Sequence, residues 1–493
     1  MIKNFKWLLV VALTVAACSS DDDNNGVVEE PIVIVPGTAD FSKYVAVGNS
    51  LTAGYSDGAL YIAGQETSWT KILSDQLALA GGGEFKIPFM SDNNGGLLLG
   101  GNMITENRLY YNGTGPVRLA PANFPATTEV GVHLTGPFNN MGVPGAKSFH
   151  LLAPGYGNIA GVASGQSNPY FARFASSSSA TVLGDAVAQN PTFFTLWIGN
   201  NDILSYATSG GVGVNQTGNL NPATYGSNDI TDPTVFASVY SQLVTGLTAN
   251  GAKGVVASIP YVTTIPYFTT VPYNPVPLDA DKAAQLNAGY AAYNGGLGQA
   301  QAAGLISADE KARRTISFHA GQNAVVMVDS YLTNLSALGL PSYRHATSED
   351  RPVLPSSSFI GTTVGGNPAA INGVSVPLAD SWVLSKDEAA EVKTAVDAYN
   401  VTIKALATSK GLAFVDANAL LTTVATQGIP YEGYVLTSGF VVGGAFSLDG
   451  VHPTARGYAL IANEFSKAIN ATYGSNLPLV KLTNYPMLRP VNL

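Results

Sequence analysis

Short, predominantly apolar runs alternate along this chain with longer segments whose apolar residues recur every three to four positions. That alternation constrains the fold more than any other feature. The runs are Tyr44–Gly48, Phe193–Ile198, Gly254–Ile259, Val325–Asp329 and Leu412–Val415. None has the strict polar–apolar alternation of a strand with one wet face, so each predicts a strand covered on both sides. Thr67–Ala80 carries Trp69, Ile72, Leu73, Leu77 and Ala80 at helical spacing. Pro233–Thr248, Asp279–Ala302, Ser385–Ser409 and Thr454–Thr472 read as further helices. The last opens just after His452-Pro453, where a proline suits the first turn. Strands alternating with helices predict a parallel sheet covered on both faces, a three-layer α/β/α architecture.

A chain of 493 residues holds two or three average domains, or one α/β domain with large insertions. Four Gly/Asn/Ser/Thr-rich stretches, Gly81–Pro125, Ser205–Asp232, Ile259–Pro277 and Ser336–Asp380, interrupt the alternation and favour the second. Loops this long in a compact domain are functional or ordered into insertions. One contains a small repeat, Ile259-Pro-Tyr261, Ile265-Pro-Tyr267, Val271-Pro-Tyr273. It reads either as an extended proline-rich surface loop, the favoured reading, or as an aromatic wall beside a substrate. Charged residues are only 12%, which points to an extracytoplasmic rather than a cytosolic surface. The net charge is −9 and no Lys/Arg-rich run or stripe occurs, so nucleic acid is a poor candidate partner.

The start of the chain reads as an export signal over residues 1–17: Lys3 and Lys6, then an apolar stretch from Trp7 to Ala17. That stretch falls short of the ~20 residues a membrane-spanning helix needs. Val15-Ala16-Ala17-Cys18 resembles a bacterial lipobox, and Cys18 is the sole cysteine, which leaves no disulfide to stabilise the fold. The expectation is a lipid-anchored protein of a bacterial outer membrane, with Cys18 lipidated; the rival is an ordinary cleaved signal peptide. Ser19 after the cysteine resembles outer-membrane sorting, and Asp21-Asp22-Asp23 resembles the export tags of surface lipoproteins of Bacteroidetes type. Residues 18–38 then read as a flexible tether, 39–475 as one domain with insertions, and 476–493 as a C-terminal tail.

The residues that carry chemistry lie at the two ends of the domain. A strand ending in Gly48-Asn49 places Ser50 on the loop at the carboxyl end of a central strand, where open α/β sheets bind ligands. A serine hydroxyl is a weak nucleophile and needs a base within hydrogen-bond reach. Asp449-Gly-Val-His452 supplies one: a carboxylate three residues ahead of an imidazole can hold its tautomer so that the other nitrogen faces Ser50. Of the five histidines, only His452 has an aspartate three residues upstream. Two Gly/Asn segments fit an oxyanion hole, Asn140-Met-Gly142-Val-Pro-Gly145 and Gly199-Asn200-Asn201-Asp202. In each, two residues compete for the role: Gly142 with Gly145, and Asn200 with Asn201. A rival nucleophile, Ser56, lies in Gly54-Tyr-Ser56-Asp-Gly58, but such an elbow must directly follow a strand, and the apolar run ends at Gly48. No His/Cys spacing suggests zinc and no Gly-rich Lys-Ser/Thr loop suggests a nucleotide, so neither metal nor cofactor is expected.

In this order the four segments resemble the SGNH/GDSL hydrolase family. The resemblance implies a flavodoxin-like sheet, with Ser50 as nucleophile, His452 as base and Asp449 as its orienting partner. It also implies an oxyanion hole built from the Ser50 and Gly145 N–H groups and the Asn201 side-chain amide. Block one departs from the pattern by carrying Asn49 where the family name has aspartate. The expected function is a serine esterase or lipase acting on a small-molecule, lipid or glycan ester. The alternatives are a carbohydrate acetyl esterase of the same fold and a non-catalytic, glycan-binding surface lipoprotein.

Overall fold

Five parallel strands form the central sheet: β1 (Tyr44–Gly48), β2 (Asn140–Gly142), β3 (Phe193–Trp197), β4 (Lys253–Ala257) and β5 (Ala413–Val415). β1 is buried along its whole length and pairs on one side with β2 and on the other with β3; β4 and β5 follow beyond β3. The spatial order is therefore 2-1-3-4-5, the flavodoxin-like arrangement, with its topological switch between β1 and β3. This computed structural model describes residues 33–493; the expected export segment, Cys18 and most of the expected tether lie outside the described residues.

Among the helices are α1 (Ser50–Ala53), α2 (Trp69–Ala78), α3 (Asn201–Thr208), α4 (Pro233–Thr248), α5 (Ala280–Ala302), α6 (Lys386–Lys410), α7 (Ala417–Thr426) and α8 (Ala455–Tyr473). α2 and α8 cover one face of the sheet, where Trp69 stacks on Phe465 with ring centroids 4.2 Å apart. α4 and α6 cover the other, where Phe236 stacks on Tyr399 at 4.1 Å. Strand residues such as Val45, Val47, Phe194 and Leu196 are wholly buried between these layers, which is why their runs show no polar alternation. α6 opens on a capping box, Ser385 with Glu388, and closes on Gly411 in the left-handed region, φ 62°.

The structure corrects the sequence expectation at several places. The run at 325–329 is not a strand of the central sheet. Val326–Val328 pairs antiparallel with Tyr343–His345 inside the long insertion between β4 and α6. That insertion, which includes α5, has its own apolar cluster around Phe318, Val325, Met327 and Leu378, and this cluster buries the run. One outer strand of the sheet is instead β2, three residues long, in a segment singled out only as a candidate for the oxyanion hole. The Ile-Pro-Tyr repeat is not extended: Val262–Thr264 and Pro266–Thr269 are short helical turns. Ile34 already belongs to the compact unit, inside the stretch read as tether, and Thr38 N donates to Tyr473 O at 2.8 Å. The segment read as a tail packs on the domain. The wholly buried side chain of Arg108 donates to the carbonyls of Pro490 and Val491 at 2.8 and 2.9 Å.

Candidate active site

β1 ends at Gly48, where a Cβ would meet Thr52 Oγ1 at 2.2 Å and Trp197 O at 2.4 Å, so only glycine fits. Asn49 then caps α1, its Oδ1 accepting from Leu51 N at 3.0 Å, and its Nδ2 donates to Asn200 Oδ1 at 3.1 Å. An aspartate here would keep the first bond and lose the second, because a carboxylate has no proton to give. The asparagine thus ties the turn after β1 to the turn after β3.

Ser50 is the first residue of α1 and is buried apart from its edge on a cavity. Its Oγ lies 2.9 Å from His452 Nε2, and His452 Nδ1 lies 2.8 Å from Asp449 Oδ2. With Nδ1–H donating to the carboxylate, Nε2 is left as the acceptor for the serine proton. Asp449 Oδ1 accepts from the backbone N–H groups of Val451 and His452 at 2.9 and 2.8 Å and from Ser447 Oγ at 3.1 Å. Its Oδ2 also accepts from Gly58 N at 3.0 Å. Burial works against charge on Asp449, but His452 and these N–H donors outweigh it and hold the carboxyl at about 2. Thr454 caps α8 by accepting from Gly457 N, so His452 and Pro453 stand on the turn that enters this helix.

The structure separates the competing glycines. Gly142 pairs with Gly48 inside β2 and its N–H donates to Asn140 Oδ1 at 2.9 Å. Gly145 is exposed at φ +80°, and its N–H has no hydrogen-bond partner among the described residues. The N–H of Ser50 likewise has none. Asn200 and Asn201 both line the cavity beside Ser50. Asn201 opens α3 and its Nδ2 donates to Ala146 O at 2.9 Å, on the residue that follows Gly145. The next residue, Asp202, accepts from both the N–H and the Oγ of Ser148, at 2.8 and 2.6 Å, and so fastens the same loop.

Ser56 does not face a base. It is buried, and its Oγ donates to the carbonyl of Pro453 at 3.0 Å. With its neighbours it forms a strap behind the Asp449–His452 turn. Asp57 N donates to Ser447 Oγ at 2.9 Å, Leu448 N donates to Asp57 Oδ1 at 3.1 Å, and Gly58 N reaches Asp449 itself. Sequence reasoning gave no role to Asp57, Ser447 or Asp202; Ser447 and Asp202 lie within three residues of a chosen site residue, whereas Asp57 lies seven from Ser50 and carries no such signal.

The cavity beside Ser50 encloses about 840 Å³, open mouth included. Its polar side chains gather at the Ser50 end: Asn49, Ser50, Asn200, Asn201 and His452. From the Ile-Pro-Tyr repeat it takes Pro260, Val262 and Ile265; the three tyrosines are not part of its lining. Among the described residues no group of three or more His, Cys, Asp or Glu is placed to hold a metal ion.

No family model matches this chain, and no curated protein matches it. Among solved structures it is similar to a catalytic mutant of Axe2, an acetylxylan esterase from Geobacillus stearothermophilus, at 10% identity and a TM-score of 0.31, covering 92% of this chain and 98% of that one. It is also similar to LAE5, an alpha/beta hydrolase enzyme from the metagenome of Lake Arreo, Spain, at 11% identity and a TM-score of 0.32, covering 88% and 97%. The fold assignment rests on the strand order and helix layers of this chain itself.

Proposed function

We propose that the protein is a serine hydrolase of SGNH/GDSL type that cleaves carboxylic esters through an acyl-enzyme on Ser50. The observation that carries this reading is the unbroken line Asp449–His452–Ser50: a 2.8 Å contact from Asp449 to His452, and a 2.9 Å contact from His452 to Ser50, 402 positions away in sequence. In this reading Ser50 Oγ attacks the ester carbonyl as His452 Nε2 takes its proton, and Asp449 stabilises the imidazolium that forms. The Ser50 and Gly145 N–H groups, which have no partner among the described residues, and the second hydrogen of the Asn201 amide receive the oxyanion. The bond from Asn201 to the loop bearing Gly145 favours it over Asn200 as that donor. Collapse of the tetrahedral intermediate expels the alcohol with a proton from His452, and water repeats the sequence to release the acid.

A fluorophosphonate probe with an ester assay tests the reading. Wild-type protein is expected to label, and Ser50→Ala to lose both label and at least about 10⁴-fold in kcat. Labelling that survives Ser50→Ala but disappears in Ser56→Ala would overturn the site, and an unlabelled wild type would favour the glycan-binding alternative. We also propose that Cys18 carries a lipid anchor in the outer membrane. Cys18→Ser is then expected to move the protein from the membrane to the soluble fraction.

A further inference from the structure

α7 carries Ala417, Leu420, Leu421 and Val424, the i, i+3, i+4, i+7 stripe of a helix with one apolar face. Such a stripe is ordinarily buried against a packed partner. Here all four residues line the cavity beside Ser50, and Leu420 and Leu421 are only half-buried. The other walls are of the same kind: Leu204 from α3, Val262 and Ile265 from the repeat, and Leu460 and Ile461 from α8. Trp197, the one further side chain with a polar atom, spends its indole N–H on Ser258 O at 3.1 Å. Away from the reaction centre, then, the walls offer no free side-chain donor or acceptor for sugar hydroxyls and no charge for a head group. Apolar walls with polar groups confined to one end suit an apolar ligand whose polar atom lies at that end.

We infer that the substrate is an ester bearing an aliphatic chain of medium or greater length, and that the α7 stripe binds this chain. The inference rests on the serine-hydrolase reading above and names the substrate class for that site. An acetyl group alone leaves most of the apolar wall against water. Each methylene withdrawn from water is worth roughly fourfold in kcat/KM. The chain has two chemical sources, the acyl group or the alcohol.

The test uses the full chain on two series: p-nitrophenyl esters from acetyl to dodecanoyl, and acetate esters of alcohols from ethanol to dodecanol. The expected result is a rise in kcat/KM of at least about thirtyfold from two to eight carbons in one of the series, which also identifies the source of the chain. Val424→Trp, and independently the half-buried Leu420→Gln, are expected to lower the eight-carbon to two-carbon ratio in that series at least about tenfold. Flat or falling profiles in both series would overturn the inference, as would a rise that neither variant reduces. Failure of the underlying reading looks different: no ester is hydrolysed at all, acetate included, and Ser50 takes no fluorophosphonate.

Discussion

Asp449 is half-buried and Asp57 buried, both are tied to one turn, and their pKa values shift in opposite directions. Asp449, on the cavity side, accepts from three backbone N–H groups, a serine hydroxyl and the imidazole. Burial opposes its charge, but these partners bring it down to about 2. Asp57, behind the turn, accepts from one backbone N–H and the Tyr61 hydroxyl. There burial dominates, the nearby Asp449 adds repulsion, and the carboxyl is pushed up. Burial opposes the charge of both groups, so the number and charge of the donors decide. The front carboxylate is held ionised, as the proposed partner of a base must be, while the back one serves as a link to Leu448.

Removing each charge in turn gives the largest contrast. Asp449→Asn keeps the shape but loses the acceptor that fixes the His452 tautomer, and kcat is expected to fall about 10⁴-fold. Asp57→Asn leaves the tautomer alone and is expected to stay within about tenfold of wild type. Steady-state rates on one activated ester check both, and a hundredfold loss in Asp57→Asn would break the division between front and back.

The opposite shifts also predict opposite contributions to acid stability. Asp449 titrates lower in the folded chain than its usual 3.8, so the unfolded chain binds more protons between about pH 4 and pH 2, and stability falls as pH falls through that window. The loss attributable to this group is about 2 kcal/mol. Asp57 titrates higher in the folded chain, so protonation as pH falls favours folding and offsets part of that loss. Urea denaturation between pH 2.5 and 5 is therefore expected to show a shallower acid limb in Asp449→Asn and a steeper one in Asp57→Asn. Matching limbs in the two variants would contradict the assignment.

The same comparison marks what the sequence could reveal. β1, β3, β4 and β5 were legible because burial on both faces leaves an apolar run without alternation. Ser50 and His452 stand beside such elements, at the end of β1 and before the cap of α8, so local pattern was enough to single them out. β2 was not legible: three residues beginning with an asparagine become a strand only because β1 lies alongside. Val326–Val328 misled for the converse reason, since an apolar run shows that it is buried and not by what. The bond from Leu448 N to Asp57 spans 391 positions. Nothing local to Asp57 distinguishes it from an ordinary turn aspartate.

Ser56→Ala probes the back of the site with the smallest expected effect. The substitution removes one methyl-sized hydroxyl and leaves the buried carbonyl of Pro453 without its donor. An unsatisfied buried acceptor costs about 1–2 kcal/mol, to be read as a shift in the urea midpoint at unchanged m-value. The turn keeps its three other ties, from Asp57 N to Ser447, from Leu448 N to Asp57 and from Gly58 N to Asp449. His452 therefore stays in place, and kcat is expected within about threefold of wild type. A loss of rate a hundredfold or greater with little loss of stability would mean that the Pro453 carbonyl sets the position of the imidazole. The strap would then belong to the chemistry rather than to its support.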